Sequence, residues 1–210
     1  PVGATFAFLQ ITSGGSTLTV DTSVSQVTVD GSAGDDTITV TDIDHACRGS
    51  LVVRGGTGDD VLTANNAKIG DIRLRMEGGD GNDSILGSSG SDTLAGDAGI
   101  DRIKGGVGND LIIGGASIDS LNGDAGNDTI IGGDGSDTLV GDGADTIFGD
   151  AGDDSLQGDQ GADLISGGEG DDIARGGDGN DTITGEAGND SLLGDSALDN
   201  ISGDDGDDTL

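Results

Sequence analysis

A nine-residue period runs through most of the sequence and limits its possible folds more than any other feature. Typical units are residues 105–113 (GGVGNDLII) and 176–184 (GGDGNDTIT), and isolated copies occupy residues 31–39 and 55–63. Because nine residues cannot bury a core alone, each unit must stack on its neighbours, and the period predicts a solenoid. Fifteen consecutive units start at residues 78, 87, 96, 105, 114, 123, 132, 141, 149, 158, 167, 176, 185, 194 and 203.

Two positions of the unit keep their chemistry along the chain. Position eight is Ile or Leu in sixteen of the seventeen copies, the exception being Ala174. Position six is Asp in every copy, and these residues are Asp36, Asp60, Asp83, Asp92, Asp101, Asp110, Asp119, Asp128, Asp137, Asp145, Asp154, Asp163, Asp172, Asp181, Asp190, Asp199 and Asp208. We therefore expect an aliphatic ladder inside the solenoid and a row of carboxylates along its turns.

The residue types within one unit indicate a cation site. Glycines at positions one and four, and often at position two, permit positive φ angles and close backbone packing, which bring carbonyl oxygens together. The aspartate at position six adds an anionic oxygen, and hard cations prefer such ligands. Positions seven to nine read as a short strand with one side chain pointing inward. The unit thus predicts six residues of turn and three of strand.

Composition leads to the same requirement for cations. The 41 acidic and 8 basic side chains give a formal net charge of −33, while 31% hydrophobic and 1% aromatic residues cannot fill a conventional core. The carboxylates repel one another unless cations neutralise them. The charge excludes nucleic acid and anionic membrane surfaces as direct partners. No run of 18 apolar residues is present, so we expect no membrane insertion.

The repeats resemble the glycine- and aspartate-rich nonapeptide repeat of the RTX family, without a break over residues 78–210. The resemblance implies an all-β, right-handed parallel β-roll or β-helix solenoid in which two repeats form one turn. It also implies Ca²⁺ held between repeats n and n+2 by position-six carboxylates and turn carbonyls. One edge would then carry Asp83, Asp101, Asp119, Asp137, Asp154, Asp172, Asp190 and Asp208, and the other Asp92, Asp110, Asp128, Asp145, Asp163, Asp181 and Asp199.

Charge balance agrees with multiple calcium ions. Pairing the fifteen repeats gives at most about 13 sites in the continuous array. Residues 78–210 carry 31 acidic and 3 basic side chains, so the positive charge of that many divalent ions nearly equals their net negative charge. Ion binding and folding are therefore expected to be one linked event. Three departures weaken particular sites: Ser117 and Ala197 replace the glycine at position four, and the unit 141–148 is one residue short.

The first 77 residues differ from the array, because they hold only 10 acidic and 5 basic side chains and fewer glycines. The glycine turns at residues 31, 55 and 78 are farther apart than those of the array, which predicts wider β-helical coils. Residues 4–11 are expected to cover the open end of the core, since solenoids need a cap. The predicted organisation is a β cap at 1–30, wider coils at 31–77 and the calcium-binding roll at 78–210.

His45 and Cys47 are the one place where an imidazole and a thiolate come close in sequence. We considered a surface loop with a free thiol, a transition-metal site, an intermolecular disulfide and nucleophilic catalysis. With a single histidine in the chain, a Ser-His-Asp enzyme is not supported. We therefore expect a protein that is not an enzyme.

The sequence favours a secreted calcium-binding protein with an extracellular or cell-surface structural role, such as a matrix, surface-layer, adhesin-stalk or filament component. Its partners would be calcium ions and other copies stacked head-to-tail. The main alternative is a secretion and folding module of a larger type I-secreted enzyme or toxin, a common association of RTX repeats. A soluble calcium buffer is a third possibility.

Overall fold

The fold is a two-sheet solenoid of stacked short strands, seen in a computed structural model that describes residues 8–13, 16–21, 26–43, 49–64 and 73–210. The first sheet contains β1 (Phe8–Ser13), β2 (Ser16–Asp21), β4 (Thr37–Ile43), β6 (Val61–Thr63), β8 (Ser84–Leu86), β10 (Arg102–Val107), β12 (Ser120–Ala125), β14 (Thr138–Val140), β16 (Ser155–Gln160), β18 (Ile173–Asp178) and β20 (Ser191–Ser196). The second sheet contains β3 (Gln26–Ala33), β5 (Ser50–Thr57), β7 (Arg73–Asp80), β9 (Thr93–Ala98), β11 (Leu111–Ala116), β13 (Thr129–Asp134), β15 (Thr146–Ala151), β17 (Leu164–Glu169), β19 (Thr182–Ala187) and β21 (Asn200–Asp205).

The chain alternates between the two sheets, so each strand pairs in parallel with the strand two elements away. β1 is the exception, because it pairs antiparallel with both β2 and β4. The predicted all-β parallel solenoid is therefore confirmed. Within the described ranges no helix is long and apolar enough to cross a bilayer.

Coil length changes along the solenoid. Position-six aspartates of adjacent coils are 24 residues apart between Asp36 and Asp60, then 23 between Asp60 and Asp83, and 18 between Asp83 and Asp101. The narrow coils hold two nonapeptides each, whereas the coils before them are wider. Residues 4–7 of the predicted cap lie outside the described residues, and capping stays a prediction.

An aliphatic ladder fills the space between the sheets. Position-eight side chains such as Ile103, Ile112 and Ile130 are completely buried, and register places each above its counterpart in the next coil. The wide coils bury two such residues per strand, for example Leu51 and Val53 in β5. The stacked side chains thus form one continuous core, and none of the buried members described for it is aromatic.

Most strands are longer than the three residues predicted from the repeat. β10 continues through the first three positions of the next unit, where Gly106 pairs with Asp124 and Val107 with Ala125. The prediction of six turn residues was therefore wrong, because the start of each unit is still hydrogen-bonded to its neighbour in the ladder. Three-residue strands remain at β6, β8 and β14.

Candidate calcium sites along the turns

The turns owe their shape to left-handed backbone at positions two and four. In the unit that starts at Gly105, Gly106 has φ of +110° and Gly108 has φ of +135°. Position two keeps this conformation at most of the units where it is not glycine, as at Asp124 (φ 61°), but not at Ser88 or Asp142. Ser117 and Ala197 replace the position-four glycine yet have φ of 91° and 92°. The turn geometry therefore survives these two departures from the repeat, at the cost of strained non-glycine residues.

The position-six aspartates form two continuous ladders, one along each edge of the solenoid. In each step the backbone N–H of one aspartate donates to Oδ1 of the aspartate in the next coil, at 2.6 to 3.1 Å. Edge one carries Asp36, Asp60, Asp83, Asp101, Asp119, Asp137, Asp154, Asp172, Asp190 and Asp208. Edge two carries Asp92, Asp110, Asp128, Asp145, Asp163, Asp181 and Asp199. The structure thus brings together, in register, all seventeen residues that the sequence selected.

The second carboxylate oxygen of these aspartates is buried without a hydrogen-bond donor. Asp110, Asp119 and Asp128 are each no more than 3% exposed, and their Oδ2 atoms have no partner. Fourteen position-six residues share this property, namely Asp36, Asp60, Asp83, Asp101, Asp110, Asp119, Asp128, Asp137, Asp145, Asp154, Asp163, Asp172, Asp181 and Asp190. A buried anionic oxygen without a partner is costly. Its repetition in fourteen turns shows that these oxygens fit a cation as their partner.

Position one supplies a second oxygen at the same place. A β-carbon added to Gly114 would lie 2.5 Å from Asp119 Oδ2 and 2.6 Å from the carbonyl oxygen of Gly132, the first residue of repeat n+2. The glycine at position one is therefore required, because any side chain would occupy the space of the carboxylate. Two acceptors converge there with no donor between them, which is an arrangement that suits a hard cation.

Burial makes several of these carboxyls hard to ionise in the metal-free roll, as Asp110 and Asp119 show. Desolvation is the largest cause and raises their pKa, neighbouring carboxylates on the ladder raise it further, and the amide that donates to Oδ1 opposes both. The pKa rises to about 7 at Asp110, Asp119, Asp154 and Asp163. It rises to about 6 at Asp83, Asp92, Asp145 and Asp172. A bound cation would remove this penalty by neutralising the carboxylates.

The donor set fits Ca²⁺, which takes carboxylate and backbone carbonyl oxygens in flexible geometry. Position-six carboxylates and turn carbonyls would hold the ion, and its positive charge would offset the negative charge of the carboxylates. Over the described ranges no three acidic, histidine or cysteine side chains cluster as metal ligands. Carbonyl oxygens must therefore complete each site, a contribution that side-chain spacing alone does not reveal.

The shortened unit keeps the ladder but loosens the adjacent pairing. Asp128 N still donates to Asp145 Oδ1 at 2.6 Å, and Asp145 Oδ2 remains without a partner. The hydrogen bond from Gly126 N to the carbonyl of Asp142 lengthens to 3.4 Å, and β14 stops at Val140. The missing residue thus weakens the backbone pairing at the start of the unit, while the hydrogen bonding of the Asp145 carboxylate stays the same as in the other turns. His45 and Cys47 lie outside the described residues.

Comparison with known protein families agrees with this geometry. A family model for the RTX calcium-binding nonapeptide repeat, in four copies, matches residues 27–40, 52–67, 75–103, 104–139, 139–174 and 175–210. The chain belongs to the RTX family. RTX repeats bind Ca²⁺, form a structural rather than a catalytic fold, and are typical of type I-secreted proteins. A search of curated proteins gave no significant match.

Proposed function

We propose that this RTX chain folds on binding Ca²⁺ outside the cell and then serves as a rigid structural element, such as a component of a matrix, surface layer, adhesin stalk or filament. The observation that carries the proposal is the set of fourteen buried carboxylate oxygens without donors. Each of them needs a cation before the roll can close at neutral pH. The position-six aspartates named above are the proposed ligands.

Calcium concentration explains why folding would wait for export. Extracellular calcium modules bind at roughly 10⁻⁴ to 10⁻³ M, far above the calcium level of a cytosol. The chain would leave the cell expanded, as its net charge of −33 favours. Outside, each ion would join two adjacent coils, so binding at one site would order the next.

Strand stacking explains why the folded product would be rigid. The second sheet has ten strands, stacked in the same order as the coils along the chain. At about 4.8 Å between neighbouring strands, this stack is roughly 43 Å long. Every described coil is tied to the next by the backbone ladder, the aliphatic ladder and a row of aspartates, and the narrow coils are tied by two such rows. Such an element suits load-bearing or spacing roles in an extracellular assembly.

A calcium titration of the metal-free chain tests the proposal, with Mg²⁺ as control. Far-UV circular dichroism should show a cooperative gain of β signal with Ca²⁺ alone. Small-angle X-ray scattering should show the radius of gyration falling from about 50 Å towards about 17 Å, the values expected for an unfolded and a compact chain of this length. A calcium-free chain that is already compact would overturn the proposal.

The same samples address self-association. Head-to-tail stacking of copies would raise the scattered intensity as Ca²⁺ is added, and electron microscopy would show filaments that excess chelator dissolves. Monodisperse monomers in millimolar Ca²⁺ would remove the filament role and leave the calcium-dependent fold intact.

The second candidate is a folding module within a larger type I-secreted enzyme or toxin. Membership of the RTX family favours it, since these repeats are typical of that secretion route. A catalytic or pore-forming domain in the full reading frame would support this role over the structural one.

A further inference from the structure

One turn of the roll satisfies its carboxylate without a cation. Asp92 is the only member of the ladders between Asp36 and Asp190 whose Oδ2 is not an orphan. The backbone N–H of Ser88 donates to this oxygen at 2.6 Å, and the Ser88 hydroxyl lies 2.8 Å from Oδ2 and 3.1 Å from Oδ1. Ser88 is only 7% exposed. These charge-assisted bonds occupy the Oδ2 atom, which has no donor in fourteen other turns.

The backbone of this turn differs in the way that the contact requires. Ser88 and Gly90, at positions two and four, are not among the positive-φ residues, whereas Gly106 and Gly108 in the next turn on that edge are. The Ser88 hydroxyl also accepts a hydrogen bond from Gly90 N at 3.1 Å. β8 ends at Leu86, so the strand does not continue into this turn. The altered backbone brings the Ser88 amide and hydroxyl onto the carboxylate.

The turn occupies a particular place in the solenoid. It is the first nonapeptide turn of edge two, and Asp92 N begins that ladder by donating to Asp110 Oδ1. Among the residues that the structure describes, no amide of an earlier coil donates to Asp92. Coil spacing changes here from 23 to 18 residues. Ser88 thus supplies to Asp92 Oδ2 the partner that this oxygen lacks in the other turns of the ladders up to Asp190.

A second serine shows that residue type alone does not create this contact. Ser32 holds position two in the first turn of edge one and has φ of 79°. Its hydroxyl bonds to Asp30 Oδ1 at 3.2 Å, while Oδ2 of Asp36, the position-six residue of that turn, has no partner. Ser32 therefore provides a matched control for Ser88.

We propose that Ser88 closes the turn at residues 87–92 without calcium, so that edge two begins at a metal-independent corner from which the calcium-dependent coils are built. This inference rests on the proposed calcium-linked folding of the other turns. Its consequence is one calcium site fewer on edge two than the repeat count gives. A further consequence is local structure around Asp92 in the absence of metal.

The first test counts bound calcium on the full chain by equilibrium dialysis. Ser88→Gly restores the glycine of the repeat and should raise the stoichiometry by one ion. Ser88→Thr keeps the hydroxyl and should match the unsubstituted chain, and Ser32→Gly should leave the count unchanged. Equal stoichiometry for Ser88→Gly and the unsubstituted chain would overturn the inference, as would the same gain in Ser32→Gly.

The second test needs no bound calcium and is therefore independent of the first. Hydrogen exchange in excess chelator, read by mass spectrometry, should show residues 84–95 exchanging about tenfold or more slowly than residues 105–113, since hydrogen bonds to a charged group protect the amides. Ser88→Gly should abolish that difference. Equal exchange of the two segments in the unsubstituted chain would refute the metal-independent corner. A chain that binds no calcium would instead refute the proposed function, whatever the exchange result.

Discussion

Acid should replace calcium as the trigger for folding, because the buried carboxyls can be neutralised by protons as well as by metal. Burial raises the pKa of Asp119 to about 7, above the value of about 3.9 for an exposed aspartate. A raised folded-state pKa contributes stability that is complete below the unfolded pKa and is lost as pH rises through the folded pKa. The calcium-free roll is therefore favoured below pH 6 and disfavoured above about pH 7.

The size of the effect follows from the pKa values. Between about pH 7.5 and pH 5, a carboxyl with pKa of about 7 contributes about 2–3 kcal/mol to folding, and one with pKa of about 6 contributes about 1 kcal/mol. The four carboxyls of the first kind alone then contribute about 10 kcal/mol, within the 5–15 kcal/mol stability of a typical domain. They are Asp110, Asp119, Asp154 and Asp163. Protonation at this pH is thus large enough to fold the chain.

The assay is far-UV circular dichroism and small-angle scattering on metal-free protein, prepared by exhaustive treatment with chelating resin and titrated from about pH 7.5 down to about pH 5. This range stays above the sequence pI of about 4.1, where precipitation would interfere. We expect β signal to appear and the radius of gyration to fall as pH decreases. The double variant Asp119→Asn/Asp154→Asn, which carries neutral amides at two of these positions, should shift the transition to higher pH.

Two outcomes would refute the reasoning. The first is a metal-free chain that stays expanded at about pH 5 although Ca²⁺ folds it at neutral pH. The second is equal compaction at neutral pH in about 1 M KCl, which shortens the screening length to about 3 Å without protonating any carboxyl. That result would assign the barrier to general repulsion between exposed charges instead of the buried aspartates.

Three substitutions test the parts of the site under saturating calcium. Asp119→Asn should lower the calcium stoichiometry by at least one ion in equilibrium dialysis, whereas Asp178→Asn, which makes the same charge change at an exposed position, should leave it unchanged. Ile130→Ala removes a fully buried rung and should cost about 2–5 kcal/mol, seen as a lower melting temperature, while its half-buried neighbour in Ile131→Ala should cost much less. Gly114→Ala places a β-carbon against the Asp119 carboxylate and the Gly132 carbonyl, and should raise the calcium concentration at the midpoint of folding. An unchanged midpoint would contradict the requirement for glycine at position one.

The repeat made the fold predictable because its two fixed positions have opposite requirements. A position-eight residue such as Ile112 must be buried away from water, and a position-six residue such as Asp110 needs a cation beside its carboxylate. At a nine-residue period, only a stacked solenoid satisfies both requirements. The length of the strands was not predictable in this way. Pairing through positions one to three depends on backbone hydrogen bonds between coils, which leave no side-chain pattern in the sequence.

The candidate sites were predictable in their side chains and not in their backbone. The sequence selected every aspartate of the two ladders, yet the carbonyl of Gly132 that faces Asp119 Oδ2 becomes visible only when coils are stacked. The special role of Ser88 was missed for a similar reason. Ser32 has the same residue type at the same position, and the two differ in backbone conformation and in burial, which the sequence does not show.

The balance between burial and charge differs along the solenoid, and this difference decides where calcium is needed. The wide coil around Asp60 buries four aliphatic side chains, Leu51, Val53, Leu62 and Ala64, for one position-six carboxyl. The narrow coils bury two aliphatic side chains for two position-six carboxyls, as in residues 101–112.

A buried Leu or Ile contributes about 1.5–3 kcal/mol, and a carboxyl whose pKa is raised to about 7 costs about 4 kcal/mol when ionised. In the narrow coil at residues 110–121, where Asp110 and Asp119 both have a pKa of about 7 and Ile112 and Leu121 are buried, the charge therefore cancels the aliphatic ladder unless calcium neutralises it. In the wide coils the ladder outweighs the charge. The chain thus has its most self-sufficient packing next to the corner that Ser88 closes, and its greatest need for metal in the repeats that follow.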